Sequence, residues 1–119
     1  MSQIGLFYLV KDGQRQELSN GNCSGEGYMA IWDWCECELD MDICFHTSQT
    51  GDILDCVVLG GKLAAALLAV LYEHNLSELA AEIALDWDLP TEGVQRGLEA
   101  LLFHLKLVQD DTVLLYEMV

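Results

Sequence analysis

Residues Ile4 to Val10 form an apolar run, and Lys11-Asp12-Gly13-Gln14 follows it. An Asp-Gly pair suits a hairpin turn, because glycine takes a positive φ without steric cost. The pattern therefore predicts a strand over 4–10, a tight turn at 11–14 and an antiparallel return over 15–18. A loop over 19–27 follows, marked by Gly21, Gly25 and Gly27. Next comes the clearest period of two. Cys35, Cys37, Leu39, Met41, Ile43 and Phe45 alternate with Trp34, Glu36, Glu38, Asp40, Asp42 and Cys44. Alternation of this kind predicts a half-buried strand with four carboxylates along its solvent face. Residues 52–59 are a shorter strand candidate or a lead-in to a helix, and Gly60-Gly61 breaks the chain.

Beyond Gly61 the apolar period lengthens to about 3.6. Leu63, Leu67, Val70 and Leu71 share one stripe, which predicts a helix over 62–74. Asn75 followed by Glu78 resembles a capping box and starts a second helix, ending near Leu85. Asp86-Trp87-Asp88-Leu89-Pro90 reads as a turn. A third helix is expected over 91–107, with Val94, Leu98, Leu101, Leu102 and Leu105 inward and Glu92 in the first turn, where the helix dipole favours an acid. Residues 108–109, Asp110-Asp111 and 112–118 then read as a two-stranded hairpin. The expected fold class is α+β: an N-terminal antiparallel β-sheet over 1–60, packed with a three-helix-plus-hairpin unit over 61–119, in one compact domain.

Charge changes this picture most. The 119 residues carry 20 acids and 5 bases, a net charge of -15. Ten acids and two bases fall in residues 1–60, and ten acids and three bases in 61–119, so the acidity belongs to the whole surface. The hydrophobic fraction is 52%, which separates the chain from disordered acidic tails. Lys62, Glu73, Glu78 and Glu82 interrupt the longest apolar stretch, so no membrane span is expected. Five cysteines, an odd number, and no signal-like start lead to the expectation of a cytoplasmic protein with reduced thiols.

The segments Leu76-Ser77-Glu78-Leu79-Ala80-Ala81-Glu82-Ile83-Ala84 and Leu89-Pro90-Thr91-Glu92-Gly93-Val94-Gln95-Arg96-Gly97-Leu98-Glu99-Ala100-Leu101 carry a resemblance. With Leu105-Lys106-Leu107-Val108 leading into a hairpin, residues 62–119 resemble a winged helix-turn-helix domain of bacterial regulators. The resemblance covers about half the chain and implies a fold more firmly than a function, since such folds host nucleic-acid and protein binders alike. It implies that 91–107 is the recognition helix, with Thr91, Gln95, Arg96 and Lys106 at nucleic acid. Gln reads adenine and Arg reads guanine. Winged-helix regulators commonly pair, so a homodimer is implied too, with the apolar strand 113–119 as an edge that needs covering.

The charge opposes that reading. Glu92 and Glu99 flank Gln95 and Arg96, the wing tip is Asp110-Asp111, and Lys62, Arg96 and Lys106 are the only bases of the unit. Neutralising about six phosphates takes more cations than that. Arg96 is expected to pair with Glu92 or Glu99 at helical spacing. The alternative is an acidic protein-binding module, either an adaptor for a basic peptide or a mimic of nucleic-acid charge, with Glu36, Glu38, Asp40 and Asp42 facing the partner. In outline, strands followed by three helices are also similar to the peptide chaperone of pyrroloquinoline quinone biosynthesis, which captures a peptide as an added strand.

Enzymatic chemistry finds no motif. There is no Gly-rich phosphate loop and no nucleophile elbow. Cys35-x-Cys37 with Cys23 and His46 lacks the paired turns of zinc knuckles, and Cys35 and Cys37 are expected as small buried hydrophobes on one strand face. The acids at 36–42 lack calcium-loop spacing. His74 is expected as a helix-end cation. Trp32, Trp34 and Trp87 are expected as core anchors or partner contacts. No cofactor, metal or catalytic residue is expected.

Overall fold

A computed structural model describes residues 4–49 and 52–118, with the side chains of 45–49 and 52–55 excepted. Phe45, His46 and Val119 lie outside the described side chains, and with them the expectations placed on those residues.

The first strand, β1 (Gly5–Lys11), and its return, β2 (Gln14–Leu18), form the expected hairpin. Asp12 and Gly13 both adopt positive φ, 52° and 76°, which is the turn whose twist matches the flanking strands. Helix α1 (Gly25–Leu39) comes next. It replaces most of the strand expected over 34–45, of which only 44–45 are strand, at the start of the third strand. Tyr28, Ile31, Trp32 and Cys35 are buried and recur at i, i+3, i+4 and i+7, a helical stripe. The Ser24 hydroxyl accepts from the Gly27 N–H at 3.0 Å and starts the helix. Asp40, in the left-handed region at φ 51°, stops it. The alternation that suggested a strand runs across this helix end into the strand beyond.

β3 (Cys44–Gln49) and β4 (Asp52–Leu59) pair antiparallel. Three helices follow in the expected order: α2 (Gly61–Tyr72), α3 (Leu76–Trp87) and α4 (Thr91–Leu105). The Asn75 side chain accepts from the Ser77 and Glu78 N–H groups at 3.0 and 3.1 Å. Asn75→Ala removes that acceptor and is expected to cost about 1 kcal/mol, while Asn75→Asp retains most of it. Urea denaturation measures both, and equal losses would refute the capping role.

The last strand, β5 (Thr112–Met118), decides the architecture. The sheet order is β2-β1-β5-β4-β3, antiparallel throughout. Two expectations are corrected here. Residues 108–109 form no strand, so there is no separate wing hairpin. β5 is also no edge, because it lies between β1 and β4. A lone two-stranded hairpin is marginal in water, whereas a central strand buries alternate residues and satisfies hydrogen bonds on both sides. The first half also contains a 15-residue helix, so it is not purely β-rich.

One hydrophobic core joins the two halves. At its centre Phe7 is fully buried, with ring centroids 5.1 Å from Tyr28, 5.0 Å from Tyr116, 6.2 Å from Trp32 and 5.1 Å from His104. These contacts bind β1 and β5 to α1 and α4. His104 Nε2 lies 2.6 Å from the Ser19 carbonyl. A carbonyl only accepts, so that nitrogen carries the proton.

Candidate functional site

Of the residues implied for nucleic acid, Thr91, Gln95 and Arg96 lie in the first two turns of α4 and Lys106 lies apart. Thr91 is exposed at the start of α4. Gln95 Nε2 donates to Glu99 at 3.1 Å, on its own helix. Arg96 makes no ion pair with Glu92 or Glu99, contrary to expectation. Its Nη2 donates to the Asn22 carbonyl at 3.4 Å, because the loop before α1 passes beside this turn of α4. Lys106 lies ten positions further on, about 15 Å along the helix axis, with Nζ 5.6 Å from the Tyr72 ring centroid on α2. Lys62, at the start of α2, lines a shallow depression that Asp110 also borders. The turn expected as a wing tip is tied back to β1 by a Lys11–Asp111 pair at 3.2 Å.

The four carboxylates of the expected strand face are spread by α1. Glu36 and Glu38 are helical, Asp40 caps the helix and Asp42 is in the following turn. Glu36 turns inward and its Oε2 accepts from the Ile43 and Cys44 N–H groups, at 2.9 and 3.4 Å. It thereby fastens the start of β3 to α1. Glu38, Asp40 and Asp42 are exposed.

A cleft opens where α1 meets the sheet. Met29, Trp32, Asp33 and Glu36 line it from α1, at i, i+3, i+4 and i+7. Cys44, Val57, Tyr116 and Met118 line it from the sheet, and Trp87 closes it from the last turn of α3. Its volume is about 150 Å³, enough for one long side chain and too small for a folded segment. The walls are mostly aromatic and thioether. The polar lip is Asp33, which is exposed, and Glu36. These two acids also border a shallow depression with Cys37, Asp40, Met41 and Asp42, so the cleft opens onto a band of negative charge. Trp32 is 2% exposed, and its indole N–H is buried without a hydrogen-bond partner among the described residues. Trp87 is 41% exposed, although it is a large apolar ring.

Asp33, Met29 and Met118 escaped the sequence reading. The 29/32/33/36 spacing would have grouped the α1 members, had residues 25–39 been read as a helix. Trp34 is partly buried instead, and His74 lies with its ring edge-on to it at 5.3 Å, after α2 has ended at Tyr72.

The thiols have separate fates. Cys35 is buried and Cys37 exposed, so they share no face. Burial pushes the Cys23 thiol up to about 11, with Arg96 pulling the other way. Burial also raises Cys35, helped by Cys44 and Glu36. Both are therefore protonated and unreactive at neutral pH. No group of three or more His, Cys, Asp or Glu side chains is placed to hold a metal ion among the described residues. Among the described residues no helix is long and apolar enough to cross a membrane. The chain matches no family model, no curated protein and no solved structure, and the site itself carries the functional reading.

Proposed function

We propose that the protein is an interaction module for a basic partner, which inserts one Arg or Lys side chain into the cleft between α1, α3 and the sheet. The observation that carries this is the pairing of an aromatic cleft with a carboxylate lip. The aliphatic stem of the incoming side chain packs on Trp87, Met29 and Met118. Its cation reaches Asp33 and the neighbouring acids, and an Arg head also gains about 0.5–2 kcal/mol over an indole face. The net charge of -15 steers a basic partner toward the surface and speeds encounter. Exposed Glu38, Asp40 and Asp42 extend the contact beyond the anchor.

A short Arg-rich peptide titrated against the protein, with tryptophan fluorescence as readout, tests the proposal. Binding is expected at low salt and is lost near 0.5 M, where the Debye length is roughly 4–5 Å. Asp33→Asn and Trp87→Ala each weaken it by about tenfold, roughly 1.4 kcal/mol. Glu92→Gln, the same charge change on α4, leaves it nearly unchanged. Equal losses in Asp33→Asn and Glu92→Gln would reduce the effect to bulk charge and end the site-specific reading. A parallel titration with random duplex tests the winged-helix reading, which rests on the order of α2, α3 and α4. Duplex binding lost in Arg96→Ala, with no peptide binding, would replace the proposal.

A further inference from the structure

The sheet has two faces, and the helices cover one. Phe7, Val57, Leu59, Leu114 and Tyr116 are buried in the core shared with the helices. The alternate set points away: Leu6, Tyr8 and Val10 on β1, Val113 and Leu115 on β5, and Val58 on β4. These six are contiguous. Tyr8 stands opposite Leu115, Val10 opposite Val113, and Val58 opposite Leu115 on its other side. Five of them are half-buried, and Val58 is 43% exposed. The solvated face of an antiparallel sheet normally alternates to polar residues. This one is apolar across three central strands except at Glu117 on β5.

The face also lacks the charge found everywhere else. The chain has 20 acids, but the described side chains on this face include only Glu17 and Glu117, with Arg15 as the single base. Arg15 Nη1 donates to Glu117 at 2.5 Å and lies 5.4 Å from the Tyr8 ring centroid, so one of the two acids is already neutralised. The described side chains on this face sum to a formal charge of -1, against -15 for the chain.

We infer that this face is the interface of a homodimer, packed sheet against sheet on the same face of a second copy. The charge distribution selects that occupant. A basic partner finds almost nothing to pair with here. A second copy is repelled by every other part of the surface and meets little repulsion on this face. Apolar surface of this size gains by leaving water, and an antiparallel sheet packs on another with its strands within about 30°. Strands of seven residues at about 3.4 Å, across three strands at about 4.8 Å, give an apolar face on the order of 350 Å² per copy. That lies at the low end for specific association, so the dimer is weak and concentration-dependent.

Sedimentation equilibrium over a range of concentrations is the test. The mass is expected to rise from the 13.3 kDa of one chain toward twice that value. The dissociation constant should fall between low salt and about 0.5 M, because screening removes the repulsion between two acidic copies. Val58→Glu sets like charges against each other and weakens the dimer by about tenfold or more, roughly 1.4 kcal/mol. Val58 is exposed in the single chain, so circular dichroism should report an unchanged fold; Leu115→Glu is the second variant. A monomer at every concentration and both salts overturns the inference. So does a dimer that salt dissociates, or one that Val58→Glu leaves intact while the variant remains folded.

Discussion

Phe7→Ala is expected to destabilise the protein by about 3–5 kcal/mol, a large fraction of the roughly 5–15 kcal/mol that holds a domain folded. Phe7 is fully buried and meets four other rings, Tyr28, Trp32, His104 and Tyr116, drawn from α1, α4 and β5. Two effects add. The transfer free energy of the ring is lost, and a cavity opens that its neighbours fill only in part. Those neighbours resist collapse. Tyr28 is held by a hydrogen bond from its hydroxyl to the Asn20 carbonyl at 2.5 Å, and His104 by its contact to Ser19. The cavity therefore remains open and the loss falls at the upper end of the range. Phe7→Leu keeps most of the volume and should lose much less. Urea denaturation followed by tryptophan fluorescence measures both. A loss under about 1.5 kcal/mol for Phe7→Ala, the size of a volume-conserving swap, would show that this cluster is not the centre of the core.

Gly97→Ala is the second large effect, and its sign is the informative part. Alanine in place of glycine inside a helix ordinarily adds about 0.5–1 kcal/mol. Here the loss is expected to be about 1–3 kcal/mol, because the added methyl overpacks the core. A Cβ at Gly97 would meet Cys23 Sγ at 2.6 Å, Ile31 Cδ1 at 2.8 Å and Cys23 Cβ at 3.0 Å. A Cβ at Gly27 would meet the same sulfur, also at 2.6 Å. The Cys23 thiol thus fills the space that two glycines leave where the first turn of α1 crosses α4. Cys23→Ala removes the sulfur and should recover part of the loss in the double variant, which a double-mutant cycle detects as a coupling. A stabilised Gly97→Ala protein would show that the α1–α4 crossing is looser than these distances state.

Both effects concern contacts between halves of the chain that local patterns had separated. The β1–β2 hairpin, α2, α3 and α4 were legible because their signals are local. Asp12-Gly13 turns within four residues, and Asn75 caps its own helix. Helix α1 was not legible. Ser24 and the 28/31/32/35 stripe marked it, but the alternation from Cys35 to Phe45 masked them, because it straddles a helix end, a turn and a strand start. Misreading α1 also hid the cleft. Trp32, Asp33 and Glu36 share a face at helical spacing and fall on opposite faces at strand spacing. The carboxylates at 36–42 were found by composition, yet only the fold turns Glu36 inward onto the β3 backbone and leaves Asp33 at the lip.

Net charge, the absence of a long apolar span and the three-helix order of residues 61–105 follow from the sequence by itself, since each depends on composition or on neighbours within a few turns. The tertiary structure decided where β5 goes. Its alternating residues suit the middle of a sheet as well as a free hairpin, and nothing within the strand names its partners. It pairs with β1 and β4, which lie far away in the chain, because only there are both of its edges hydrogen-bonded and its inward face buried on Phe7 and the helices. That placement joins the halves into one core, forms the floor of the cleft with Tyr116 and Met118, and leaves Val113 and Leu115 at the centre of the uncovered face.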